Sequence, residues 1–236
     1  MAVPVHTSVP NEWQAQIAEL PFFRDLPPAA VQRAIARVVV RQHPAHQAIL
    51  LENDWGNSVY FVLRGWLKIR TYNFDGKEVT LNVLGTGEMF GEMAPLDRVP
   101  RSTDVLTLSE ASVASFPAAD FLHLLETEAA AGIHLARLLA KRLRQVNRRL
   151  RLRESDSTAR VADVLLFIAE SQGVGGPQGI EIPNLPHREL SGLSGLARET
   201  VTRVLGKLET KGLIVRPRDR DVLCLRDSTA LEALMV

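Results

Sequence analysis

The stretch from His187 to Ile214, "HRELSGLSGLARETVTRVLGKLETKGLI", carries two apolar stripes at helical spacing with a tight turn between them. Leu190 and Leu193 form the first stripe, and Val201, Val204, Leu205 and Leu208 form the second. Gly195, between them, can take the left-handed turn, a region that glycine enters without steric cost. Helix, turn, helix is the reading, although any two core helices can share the pattern. The face of the second helix that is not needed for packing presents Arg198, Glu199, Thr200, Thr202 and Arg203. An arginine can bond guanine O6 and N7 together, and a glutamate can accept from cytosine N4, so this mixture suits direct readout in a major groove. Beyond it, "LIVRPRDRDVLCL" reads as a hairpin or wing whose Arg216, Arg218 and Arg220 can reach phosphate.

Upstream, "ESDSTAR" offers Ser155, Asp156 or Ser157 as the N-cap of a helix over "ARVADVLLFIAE" and marks a hinge. "GVGGPQG" reads as a loop. Before the hinge, one proline-free helix runs from about Thr127 to Arg153. Gly132, Ala136, Leu139, Leu143, Val146 and Leu150 follow one another at alternating steps of four and three, the seam of two helices packed along their length. A helix lying on its own domain is the alternative, and a homodimer is the expectation. The other face carries Lys141, Arg142, Arg144, Arg148, Arg149, Arg151 and Arg153, read as a solvated face rather than a nucleic-acid stripe.

From Ala48 to Ser115 the period is two. "SVYFVLRG", "WLKIRTY", "KEVTLNVL" and "ASVASF" are strands in outline, and Asp75-Gly76 predicts a type I′ hairpin turn. Short strands punctuated by Gly56, Gly65, Gly85 and Gly87 predict a small antiparallel roll. The fold class is therefore α+β: a β-roll over residues 1–126, a long dimerisation helix over 127–154 and a winged helix-turn-helix over 155–236.

Composition excludes several functions. The 236 residues are 46% apolar and 23% charged, ordinary for a globular protein. No stretch approaches the roughly 20 apolar residues of a membrane span, so a cytoplasmic protein with no membrane partner is expected. A single cysteine, Cys224, makes no internal disulfide and cannot hold a four-thiolate cluster, and it reads as a buried small apolar residue. His43 and His46 lack a third ligand, so no metal site is expected. The formal charge of +1 is uneven, with −4 over residues 1–126, +7 over 127–153 and −2 over 154–236. Bulk charge thus supports DNA binding only weakly, and placed residues must carry it.

Residues 90–103, "FGEMAPLDRVPRST", hold a Gly-Glu pair nine to ten positions before an Arg-Ser pair. A surface ion pair closing a loop is one reading. Glycine-punctuated roll, seam helix and winged helix-turn-helix, in that order and with "GEM…PRS" and "RETVTR", resemble the cyclic-AMP receptor protein and fumarate-nitrate regulator superfamily from about Phe22 to Leu225, nearest the cyclic-AMP receptors, including those of cyanobacteria. The resemblance implies that Gly91, Glu92, Met93, Arg101 and Ser102 form a phosphate-binding cassette. Arg101 would neutralise a cyclic phosphate with a forked pair of bonds, Ser102 would add a hydroxyl, and Glu92 would accept from the ribose 2′-hydroxyl. Val146 and Asn147 match the two helix positions that meet the adenine. Pro95 stands where related sequences carry an aliphatic residue, and it removes an N–H from the cassette's helical turn.

The resemblance further implies cyclic AMP as allosteric ligand, no cofactor, a palindromic double-stranded DNA site with TGTGA-like half-sites and RNA polymerase as a partner. Two alternatives stay open: the same fold sensing another anion such as 2-oxoglutarate, or no ligand, and an enzyme using Glu92 and Arg101. For the enzyme, the sequence offers no nucleophile with a base beside it and no metal motif.

Overall fold

The computed structural model describes residues 9–217 and 219–235, and Arg218 of the wing lies outside them. In chain order the elements begin with α1 (Asn11–Ala18), α2 (Pro28–Ile35), β1 (Val39–His43), β2 (Ala48–Leu50), β3 (Ser58–Arg64) and β4 (Leu67–Tyr72). They continue with β5 (Glu78–Leu84), β6 (Met89–Phe90), α3 (Met93–Asp97), β7 (Asp104–Thr107), β8 (Ala111–Pro117), α4 (Ala118–Thr127) and α5 (Ala129–Arg151). A 3-10 turn over Leu152–Glu154 leads to α6 (Ser157–Gln172), β9 (Val174–Gly176), β10 (Gly179–Pro183), α7 (His187–Ser194), α8 (Arg198–Thr210), β11 (Ile214–Val215), β12 (Val222–Leu225) and α9 (Ser228–Ala233). The chain divides into two compact units, residues 1–71 with 83–139, and residues 72–82 with 140–236.

The first unit is the roll. One sheet has the order β1-β8-β3-β6, and β7 pairs with β2 on one side and β4 on the other. Strand β3 is buried on both faces, which explains its unbroken apolar run. Val59, Phe61 and Leu63 join a core shared with the helices, while Val62 joins the interior of the roll with Leu67, Leu84, Phe90, Val105 and Val113. The helix-side core is aromatic. The Phe22 and Phe23 rings meet edge to face at 5.2 Å, and Phe61, Phe116 and Phe121 lie within 6.3 Å of one or the other. Each buried ring contributes about 1.5–3 kcal/mol, so this cluster anchors α1, α2 and α4 to the sheet.

The loop over residues 73–77 corrects the expected turn. Only Gly76 has a positive φ (72°), and Asp75 does not. Asn73 N donates to the Lys77 carbonyl, and the Asn73 side-chain oxygen accepts from the N–H groups of Asp75 and Lys77. Asparagine chemistry closes a wider loop than a two-residue turn. The long helix begins at Ala129, because Glu128 is extended and separates it from α4.

In the second unit Asp156 is the N-cap of α6, accepting from Thr158 N at 2.6 Å and Ala159 N at 2.9 Å. Ala159, Val161, Ala162, Val164, Leu165, Leu166, Phe167 and Ile168 make α6 the buried centre. "GVGGPQG", read as a loop, is a hairpin: β9 pairs with β10, and the sheet runs β11-β12-β10-β9. Cys224 is buried in β12.

The basic face of α5 is not wholly solvated, which corrects the sequence reading. Arg148 Nε lies 2.5 Å from Asp163 of α6, itself 2% exposed, and Arg148 Nη1 lies 2.7 Å from Glu170. The Arg149 guanidinium sits 4.3 Å from the centre of the Phe167 ring and donates to the Leu81 carbonyl. Burial pushes the Asp163 carboxyl above the ordinary range, against the pull of Arg148 and Arg149. Removing one member of such a pair strands the other, whereas replacing both with apolar side chains is close to neutral. Asp163→Ala is expected to cost about 2–3 kcal/mol, less than a fully buried pair because Arg148 reaches water. Arg148→Met with Asp163→Leu should lose less than Asp163→Ala by urea denaturation, with a residual cost because Arg149 also loses the Asp163 charge, and equal losses in both variants would contradict the pairing.

Candidate functional site

The cassette is built where β6 ends. Gly91 takes φ +78°, and a Cβ there would lie 2.9 Å from Arg101 Nη1 and 3.2 Å from the Tyr60 ring. The chain then enters α3 at Met93. Pro95 sits within the first turn of this helix, where backbone N–H groups have no intrahelical partner, so its missing N–H breaks no helical bond. Arg98, in the left-handed conformation, caps α3.

Arg101 arrives from the other side. Its N–H donates to the Asp54 carbonyl and its carbonyl accepts from Asn53 N, both at 2.8 Å, so the loop after β2 fixes the backbone. The side chain turns inward and is 4% exposed. Nη1 donates to the Gly91 carbonyl, Nη2 donates to the Ser58 carbonyl at 2.7 Å, and the guanidinium lies 5.7 Å from the centre of the Tyr60 ring. Tyr60 is stacked in turn on Phe90 at 5.1 Å. Nε is buried without a hydrogen-bond partner among the described residues. A Cβ at Gly56 would overlap the guanidinium, so any side chain there must displace Arg101. Burial lowers the Arg101 pKa, opposed by Tyr60 and Glu92, yet the group stays charged at any physiological pH.

Glu92 is 2% exposed, beside this cation. Gly91, Glu92 and Arg101 therefore come together in one buried cluster, with Met93 (49% exposed) and Ser102 at its surface. A surface ion pair does not describe it. A buried guanidinium whose Nε–H has no partner among the described residues can receive an anion, and the carboxylate beside it can accept from a hydroxyl. Tyr60 and Gly56 were not singled out from sequence; Gly56 was read as punctuation, and only the fold shows what it makes room for.

Val146 and Asn147 belong to the second unit and are exposed on α5. Ala136, Leu139, Leu143, Val146 and Leu150 form an uncovered stripe, with the last four 37–61% exposed. Ile133, 51% exposed, extends it toward the N-terminus. Ala131 and Leu135, on the other side of α5, are buried in the first unit.

The helix-turn-helix is formed by α7 and α8. Gly195 caps α7 at φ +64°, and Arg160 of α6 donates to the carbonyls of Ser194 (2.9 Å) and Gly195 (3.1 Å), satisfying the end of the helix. Val201, Val204, Leu205 and Leu208 are buried, whereas Arg198, Glu199, Thr202 and Arg203 are exposed and Thr200 is half-buried. Arg216, just past β11, pairs with Glu209 at 3.1 Å and meets His187 at 3.3 Å. His187 also lies 2.8 Å from Thr202. Neither His187 nor Glu209 carried a signal in the sequence.

Among the described residues no group of histidine, cysteine and acidic side chains could hold a metal, and no helix is long and apolar enough to cross a membrane. Residues 40–128 match the family described as "Cyclic nucleotide-binding domain", and residues 159–234 match "Crp-like helix-turn-helix domain". The chain is 33% identical over 195 residues to the "Cyclic AMP receptor protein" of Thermus thermophilus, covering 82% of this chain and 88% of that protein. It is 28% identical over 200 residues to the "CRP-like cAMP-activated global transcriptional regulator" of Mycobacterium tuberculosis, covering 84% and 89%. The structure of FixK2 from Bradyrhizobium japonicum, 21% identical, shares the fold with a TM-score of 0.73 over 84% of this chain and 98% of that one. With roll, long helix and winged helix-turn-helix joined in that order in both sequence and structure, the chain belongs to the cyclic-AMP receptor protein and fumarate-nitrate regulator family of transcription regulators.

Proposed function

We propose that the protein is a cytoplasmic, homodimeric regulator that binds cyclic AMP in the roll and, when bound, recognises a palindromic DNA site and acts with RNA polymerase. One observation carries the ligand reading: the buried Arg101, with its unsatisfied Nε, stands beside the buried Glu92. A phosphate alone would satisfy Arg101 and be repelled by Glu92. A cyclic ribose phosphate offers an anion to the first and a 2′-hydroxyl to the second. A dicarboxylate such as 2-oxoglutarate offers no donor, which disfavours it here.

Dimerisation is supported by the uncovered apolar stripe on α5, whose occupant is a second copy of the same helix. In that arrangement Val146 and Asn147 of the seam meet the adenine. Valine cannot hydrogen-bond, so Asn147 is assigned the reading of the base. Two subunits then present two α8 helices to half-sites about 34–36 Å apart.

Losing a charged contact from a desolvated site costs about 2–5 kcal/mol, tens- to thousands-fold in affinity. Arg101→Ala is expected to abolish the gain in DNA affinity on adding cyclic AMP, measured by fluorescence anisotropy, while the chain stays folded. Gly56→Ala should weaken the response too, although the charge remains, because the new methyl displaces the guanidinium. Asn147→Ala should still bind nucleotide but lose much of a coupling of about 1–3 kcal/mol. A full wild-type response in Arg101→Ala would refute the site.

On the DNA side, Arg198→Ala is expected to lose about 1–3 kcal/mol on the preferred sequence and to relax discrimination at one base pair. Selection from a randomised half-site library reads this directly. An unaltered base preference would remove Arg198 from the reading face.

A further inference from the structure

His187, the first residue of α7, touches two elements of the DNA-binding face at once. Its Nδ1 lies 2.8 Å from Thr202 Oγ1 in the middle of α8, and its Nε2 lies 3.3 Å from Arg216 Nη2 beside the wing. The hydrogen-bond roles are decided by the neighbours. Thr202 has one hydroxyl proton and donates it to the Arg198 carbonyl at 3.0 Å, so toward His187 it can only accept. Nδ1 must therefore carry a proton. Arg216 can only donate, so Nε2 must be bare. Both contacts are satisfied together by one species, the neutral Nδ1–H imidazole.

We propose that His187 is a positioning residue of the DNA-binding face: neutral, it holds Arg216 against α8, and protonated, it releases Arg216 and adds a positive charge beside the DNA backbone. The inference rests on the reading of α8 as the recognition helix. A proton at Nε2 would face the Arg216 guanidinium donor to donor and cation to cation. Among the described residues Arg216 would keep Glu209, at 3.1 Å from Nη1.

The charged groups facing the ring are Arg216 from beside the wing and Arg198 and Glu209 from α8, and on α7 itself Arg188 and Glu189 bond each other. Burial, then Arg216 and Arg198, hold the His187 pKa below the ordinary imidazole value, with Glu209 opposing them. The ring is therefore neutral at pH 7 in free protein. DNA phosphates favour the charged form, so the DNA-bound pKa lies above the free one. Binding then takes up a proton between those two pKa values, and affinity rises as pH falls through that window. One proton limits the slope to about tenfold per pH unit.

The test uses the full chain and a fluorescein-labelled duplex carrying inverted TGTGA half-sites, with saturating cyclic AMP, titrated by anisotropy from pH 8 to pH 6. Wild-type affinity should rise by several-fold to about tenfold more than that of His187→Asn, whose amide can donate to Thr202 but cannot titrate. The slope, not the affinity at pH 8, is the readout, because the variant lacks the Nε2 acceptor that holds Arg216. A role confined to folding would lower His187→Asn affinity equally at every pH and leave the slope unchanged, and that result would overturn the proposal.

A second measurement needs no DNA. Imidazole NMR of the six histidines should show His187 as the Nδ1–H tautomer, and Arg216→Ala should raise its pKa. An Nε2–H tautomer, or a pKa unmoved by Arg216→Ala, would also overturn it. If wild-type protein binds no duplex at any pH while the NMR result holds, the recognition-helix reading fails and the His187–Arg216 contact stands.

Discussion

The site depends on a guanidinium held in a space that only glycines leave open. Arg101 is threaded between the Gly91 and Ser58 carbonyls, over the Tyr60 ring, with Gly56 and Gly91 at positions where a side chain would strike it. Each constraint comes from a different part of the chain. The loop after β2 fixes the Arg101 backbone, β3 supplies Ser58 and Tyr60, and the end of β6 supplies Gly91 and Glu92. A roll is suited to this task because its strand ends converge from distant sequence positions. The aromatic cluster outside and the interior of the roll pack β3 on both faces.

Charge is used differently in the second unit. Arg148 and Arg149 bind α5 to the buried α6 through Asp163, Glu170 and Phe167, while Arg160 finishes α7 through its terminal carbonyls. These arginines are structural. The exposed Arg198 and Arg203 of α8 have no such duty among the described residues and face outward. A net charge of +1 therefore conceals a division between arginines that hold the fold and arginines that face outward.

Much of this was legible before any coordinates. The strands β3, β4, β5 and β8, the seam helix and the helix-turn-helix followed from changes of hydrophobic period, and Gly195 and Asp156 from turn and cap chemistry. The hairpin of β11 and β12 was legible in "LIVRPRDRDVLCL", whereas β6 and β9 were not, because two or three residues carry no period. The Asp75-Gly76 turn was misjudged because the Asn73 side chain, outside the dipeptide, decides the loop. Arg148 and Arg149 were misread because a run of basic residues looks the same whether its partners are water or a buried aspartate elsewhere in the chain. Tyr60 and His187 gave no signal, and Gly56 only that of a turn, for the same reason: their meaning lies in contacts across the fold.

The central claim is that the Arg101–Glu92 cluster receives a cyclic nucleotide rather than a generic anion. Titration calorimetry of the wild-type protein with cyclic AMP, cyclic GMP and 2-oxoglutarate tests it most directly. The account predicts saturable heat with cyclic AMP at one site per chain and none with 2-oxoglutarate. Saturation by 2-oxoglutarate, with no heat from either cyclic nucleotide, would contradict it.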